Sequence, residues 1–163
     1  MLIKPNSSKS LKIARYFIHL ANKQNSPITN KKLQKLVYYA QAWSLVLCNK
    51  ELFPDSIKAW VHGPAILSLY SQYKSYGFNP IKEVITSESI SGISQDKKNL
   101  LDSIWSVYGK FDASYLEMLT HSEKPWQEAR SGLEAHESSK NVISTDSMKQ
   151  YYSQKLKAVK SKQ

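Results

Sequence analysis

The 163-residue sequence predicts a mostly α-helical single domain, a compact bundle of about six or seven helices with room for one short β-hairpin. Three observations lead there. Apolar residues recur at helical spacing through most of the chain. Residues that start and stop helices bracket those stretches. No alternation of strands with helices of the βαβ kind appears. A hydrophobic content of 41% and an aromatic content of 11% supply a core and exclude a disordered chain.

The elements follow in order. Leu11, Ile13, Ala14, Phe17, Ile18, Leu20 and Ala21 form a wide apolar stripe, capped by Ser8 or Ser10 and ended at Asn25-Ser26-Pro27. Asn30 reads as the N-cap of a second helix, whose apolar positions are Leu33, Leu36, Val37, Ala40, Trp43 and Leu47. Phe53-Pro54-Asp55 is a turn, and residues 57–61 form a short extended segment. Gly63-Pro64 reads as the start of a third helix, with proline at its first position, and Gly77 and Pro80 end it. Residues 82–95 are a serine-rich loop with a strand-like stretch at 84–86. A fourth helix spans 96–108 and stops at Gly109. Ser114 and Glu117 match a capping box for a fifth. Pro125-Trp126 opens a sixth, closed by Gly132, and Ser144 or Thr145 caps the last, through Met148, Tyr151, Tyr152 and Leu156. The domain spans 1–155, and 156–163 form a lysine-rich tail.

Charge is unevenly placed. The net charge is +10, and residues 1–50 contain nine Lys or Arg and no Asp or Glu. Lys31, Lys32 and Lys35 decorate the first turns of the second helix, the end where the helix dipole disfavours cations. That asymmetry points to an anionic partner, either an acidic protein face or nucleic acid. The competing reading is a solvated helix surface. Arg15 and Arg130 are the only arginines among 23 basic residues, which weakens the nucleic-acid reading, because base readout and bidentate phosphate contacts favour arginine.

Catalytic chemistry finds little material. His19, His62, His121 and His136 are widely separated and lack metal-ligand spacing, so no metal or cofactor is expected. A single cysteine, Cys48, excludes an internal disulfide and reads as a packed thiol at a helix end. Ser71–Lys74 and Ser94–Lys97 match S-x-x-K without the partner motifs that give it meaning. No phosphate-cradling glycine loop and no nucleophile elbow are present, and no nucleophile, base and oxyanion donor assemble, so the chain does not read as an enzyme. No signal-peptide pattern and no apolar run of membrane-span length appear, which places the expected protein in the cytoplasm, away from membranes. Ten Tyr and four Trp are many for a helical domain of this size. Most belong in a core, and exposed ones are typical protein-interface anchors.

Three linked segments carry a resemblance. PITNKKLQKLVYYAQAW (27–43), LFPDSIKAWVHGPAILSLYSQYKSYG (52–77) and LTHSEKPWQEAR (119–130) resemble, in order and spacing, the signatures of Panacea domains, the family of SocA-like antitoxins and phage-associated proteins. The resemblance covers roughly residues 8–155. It implies a mostly helical antitoxin that neutralises a cognate toxin protein by direct stoichiometric binding, without enzymatic activity. It also implies a protease-adaptor role for some members. The alternative is a DNA-binding or phage-encoded regulatory or adaptor protein that uses the basic N-terminal helices. The candidate partner-binding residues are Lys31, Lys32, Lys35, Trp60, His62 and Tyr70. Of these, Trp60 is expected to pack into the core beside a Gly63-Pro64 helix start, with His62 bonded to a helix end or a carboxylate. The competing expectation is that Trp60, His62 and Tyr70 line a groove for a toxin segment.

Overall fold

A computed structural model describes residues 8–162. Seven α-helices and one antiparallel hairpin appear among them, in the order α1 (Lys9–Lys23), α2 (Asn30–Leu47), β1 (Lys58–Trp60), β2 (Gly63–Ala65), α3 (Leu67–Tyr73), α4 (Gln95–Tyr108), α5 (Ala113–His121), α6 (Lys124–Ala129) and α7 (Thr145–Ser161). Short 3-10 turns at Lys74–Tyr76 and Glu88–Ile90 join α3 to α4. The helix count and the hairpin agree with the architecture predicted from periodicity.

The centre of the molecule is α2. It packs against α1, α3, α4, α5, α7 and β2. Leu33, Leu36, Val37, Tyr38, Tyr39, Ala40 and Ala42 are all sealed in the core. A helix covered on every side is normally apolar all round, yet Asn30, Lys32, Gln34, Lys35, Gln41 and Ser44 are buried on it too. Each has an internal partner. Gln34 Oε1 accepts from the Ile66 amide at 2.8 Å, and Gln41 both accepts from the Leu52 amide at 2.7 Å and donates to the Phe53 carbonyl at 2.8 Å. Lys32 Nζ donates to the Gly109 carbonyl at 2.5 Å, and Ser44 Oγ to the Lys50 carbonyl at 2.7 Å. Loop backbone needs such partners when it is buried. These polar side chains therefore pin the loops to the central helix.

Several local expectations need correction. The N-cap of α2 is Thr29, whose hydroxyl accepts from the Lys32 amide, while Asn30 lies inside the helix and donates to the Tyr70 carbonyl. The cap of α5 is Asp112, not Ser114, because its carboxylate accepts from the Tyr115 amide at 2.8 Å. Gly63-Pro64 does not start α3. It forms β2, with Trp60 opposite Gly63 and Ala59 opposite Pro64, and α3 begins only at Leu67. Proline fits there because the hairpin is only two strands wide, where a missing N–H is tolerated. The residues at 84–86 join no strand, and Cys48 is exposed rather than packed. As far as it is described, the lysine-rich end is helix, since α7 runs unbroken through Lys155 and Lys157 to Ser161.

Candidate functional site

The first turns of α2, the β1–β2 hairpin, and α5 meet at one corner of the domain. Gly63 is the hinge of that meeting. Its φ is +104°, a value that side-chain-bearing residues rarely adopt. A Cβ added there would stand 2.6 Å from Lys35 Cε and 3.0 Å from Thr120 Oγ1. The glycine thus lets the hairpin lie directly on α2 and α5.

Lys35 fills the space beneath. It is 2% exposed, and Nζ donates to the Pro64 carbonyl at 3.1 Å. Burial pushes its pKa down to about 7, against the pull of the Glu117 carboxylate. Lys32, nearer the start of the same helix, is lowered as well, by burial opposed by Asp112. Neither lysine decorates a surface. Lys31 is the one of the three that reaches the rim, and there it forms an ion pair with Glu117.

Glu117 is a fork. One oxygen takes Lys31, and the other lies 2.8 Å from His62 Nδ1. Burial pushes its carboxyl up, but the hydrogen bonds from Lys31 and His62 prevail and leave it below the usual carboxylate range. The His62 side chain is 75% exposed, so the bridge presents an imidazole to solvent on a fixed stem.

Trp60 is half-buried and stands outside the core cluster, contrary to the core expectation. Its ring meets Tyr70 edge-on, with centroids 5.0 Å apart and planes at 80°, and Tyr70 is 38% exposed. The structure therefore brings Lys31, His62, Trp60 and Tyr70 to the hairpin corner of the surface and withdraws Lys32 and Lys35 into the interior.

The segment 119–130 clamps this corner from behind. Trp126 Nε1 donates to the Trp60 carbonyl at 2.8 Å, and His121 stacks on the Trp126 ring at 4.0 Å. Burial lowers the His121 pKa and keeps its imidazole neutral at physiological pH. Arg130 is buried. It donates to the Ala59 carbonyl at 2.9 Å and to the Glu137 carbonyl at 2.6 Å, with its guanidinium 5.0 Å over Trp126. Sequence reasoning placed Glu117 in a capping box with Ser114, where it instead pairs with Lys31 and His62, and gave Glu123 and Arg130 no individual role. The signal for Glu123 and Arg130 was their place in the segment LTHSEKPWQEAR (119–130), as charged residues among Trp126 and other core positions. Among the described residues, no three His, Cys, Asp or Glu side chains come together in a way that could hold a metal ion.

Residues 33–127, which contain the hairpin, α5 and most of α2, match the family described as Antitoxin SocA-like, Panacea domain. The chain belongs to this family. It is also similar to the protein named Antitoxin SocA of Caulobacter vibrioides (strain NA1000 / CB15N), at 27% identity over 138 residues, covering 78% of this chain and 73% of that relative. No solved structure matches it. The matched span includes Lys35, Trp60, His62, Gly63, Tyr70, Glu117 and Trp126, while Lys31 and Arg130 flank it. No helix among the described residues is long and apolar enough to cross a membrane.

Proposed function

We propose that this chain is an antitoxin that neutralises a cognate protein toxin by holding it in a stoichiometric complex in the cytoplasm, without turnover. The observation that supports this best is the Trp60–Tyr70 pair. Two large aromatic rings stand edge to face at the surface, Tyr70 on α3 and Trp60 on a hairpin that Arg130, Trp126 and Lys35 hold by its backbone. Rigid aromatics with a polar rim are the usual anchors of protein interfaces, because they bury much area while little side-chain freedom remains to be lost. Here His62, Glu117 and Lys31 supply that rim.

Both arginines of the chain are engaged internally, Arg15 with Glu83 and Arg130 with loop carbonyls. That favours a protein partner over a DNA site read by arginine. A reading frame beside this gene should be toxic alone and harmless when co-expressed. With purified proteins, protection should require this chain in at least equal binding-site equivalents to the toxin. Full protection by a small fraction of an equivalent, with no complex on size exclusion, would overturn the binding reading. Replacing Trp60 and Tyr70 together with alanine should weaken the complex by about 2 kcal/mol or more.

A further inference from the structure

A cleft of ≈ 530 Å³ lies on another part of the surface, between α1 and α4, lined by His19, Lys23, Gln24, Asp102, Trp105 and Lys110 among others. A second hollow of ≈ 500 Å³ continues from it, sharing His19 and Lys23 and adding Lys82 and Glu83. The acids and the bases of this groove are in different states. Asp102 already accepts from the Tyr16 hydroxyl at 2.7 Å, and Glu83 accepts from Arg15 at 3.1 Å and from Tyr73 at 3.0 Å. Lys23, Lys82 and Lys110 are exposed and form no ion pair among the described residues. Gln24 accepts from the Trp105 indole at 3.0 Å, which leaves its amide NH2 as a donor without a partner among the described residues. Beneath the floor, the Lys32 ammonium sits on the Gly109 carbonyl, 5.4 Å from the Trp105 ring. The groove thus offers an unpaired amide donor and three exposed ammonium groups, against two carboxylates that each have one oxygen engaged within the chain.

We infer that this groove is a second interaction surface, which takes an acidic peptide segment in extended form. Its length over two contiguous hollows suits a chain of carboxylates better than a single anion. Lysines are point charges on flexible stems and follow such a chain without the bidentate geometry that arginine gives to phosphate. The apolar flank of Trp105 and Leu20 accommodates the methylenes of Glu side chains. Of the nine basic residues in 1–50, Lys23 is the one that lines this groove, beside Lys82 and Lys110 from later in the chain. Lys32 and Lys35 are internal and Lys31 is neutralised by Glu117, so those three add little attraction for an anionic partner, whereas the groove lysines are exposed. The inference does not depend on the antitoxin reading, since the ligand is defined by its chemistry.

The test uses the full chain and a short synthetic peptide of Glu and Asp, followed by NMR at the Trp105 indole and by calorimetry. Saturable binding with a shift of that indole resonance is expected. The reversal K23E/K82E/K110E should weaken it by about tenfold or more, and the equal-charge reversal K140E/K157E/K160E by less than about twofold. The neutral set K23Q/K82Q/K110Q should also lose binding, and helical dichroism checks that every variant folds. Equal losses in the two reversals, or an unmoved Trp105 resonance, would overturn the inference and leave only the general field of a basic protein. Tighter occupation of the groove by an oligothymidine of matched charge would overturn it in favour of nucleic acid. Protection in co-expression without peptide binding would sink this inference alone, and peptide binding without protection would sink the antitoxin reading alone.

Discussion

Glu117 and Glu123 lie close together in the chain, and each holds a lysine, yet their surroundings are opposite. Glu123 is 2% exposed and accepts from Tyr39 at 2.7 Å, Tyr152 at 2.9 Å and Lys155 at 3.0 Å. Tyr38 joins through Tyr152 at 3.1 Å, Tyr39 stacks on Tyr108 at 4.0 Å, and Trp43 donates to the Tyr108 hydroxyl at 2.9 Å. Burial first, and then the Glu123 charge, push the Tyr39 hydroxyl far above its usual range and keep it a donor. Both phenol partners are sealed in the core and Lys155 reaches in from a partly exposed side chain, so this knot ties α7 to α2. Glu117 has only two partners, and one of them, His62, belongs mostly to solvent. The same residue type therefore serves cohesion where it is sealed among buried phenols, and presentation where one arm is a mostly exposed imidazole.

The comparison can be broken most directly at Glu123. Glu123→Ala leaves two buried phenols and a half-buried ammonium without their acceptor, and should lower the unfolding free energy by about 3 kcal/mol. Glu123→Gln, which keeps one acceptor, should fall between the two in a urea titration. A loss below about 1 kcal/mol for alanine would mean that the knot is not cohesive.

The joint between the two regions is Gly63. Gly63→Ala should destabilise by about 2 kcal/mol, from the unfavourable φ together with the collision on Lys35, read as a lower Tm. An unchanged Tm would show that the hairpin shifts freely on α2.

Lys35 sharpens the comparison through pH. Its folded pKa of about 7 lies below its unfolded value, so the native state binds fewer protons than the unfolded chain above neutrality. Stability therefore rises with pH above about 7, by up to about 1.4 kcal/mol per unit, and the burial penalty is fully present below that. Lys35→Met should flatten this rise between neutral and mildly alkaline pH, measured by chemical denaturation at both. A persistent slope in the variant would assign it to another group.

The smallest stability effect is expected at the rim. His62→Ala should change the unfolding free energy by no more than about 0.5 kcal/mol, because the imidazole is mostly exposed and its hydrogen bond to Glu117 is at the surface. Its effect should appear in toxin association instead. A large loss of stability with unchanged binding would reverse the roles assigned to the two carboxylates.

Legibility in the sequence varied by kind of residue. The helices of strong period were readable, and so was the extended segment at 57–61, because an apolar face at fixed spacing has one efficient way to be buried. Boundaries set by competition between neighbouring caps were not. Thr29 against Asn30, and Asp112 against Ser114, are decided by which oxygen reaches the free amides once the preceding loop is placed. Of the candidate surface residues, His62 and Tyr70 are exposed, Trp60 and Lys31 are half-exposed, and Lys32 and Lys35 are inside.

The helical class, the approximate helix count and the family resemblance were set by the sequence alone. Local spacing and residue chemistry suffice for those. Only the tertiary structure decided that α2 is central rather than peripheral, that Gly63-Pro64 is a strand, and that Glu117 and Glu123 have opposite surroundings. The physical reason is that a lysine or glutamine on a helix is read as solvated until the loop carbonyl or amide that satisfies it is in place. Those partners come from residues distant in the chain, such as Pro64 for Lys35, Gly109 for Lys32 and Ile66 for Gln34. Burial of a polar group depends on such long-range pairing, which hydrophobic periodicity does not encode.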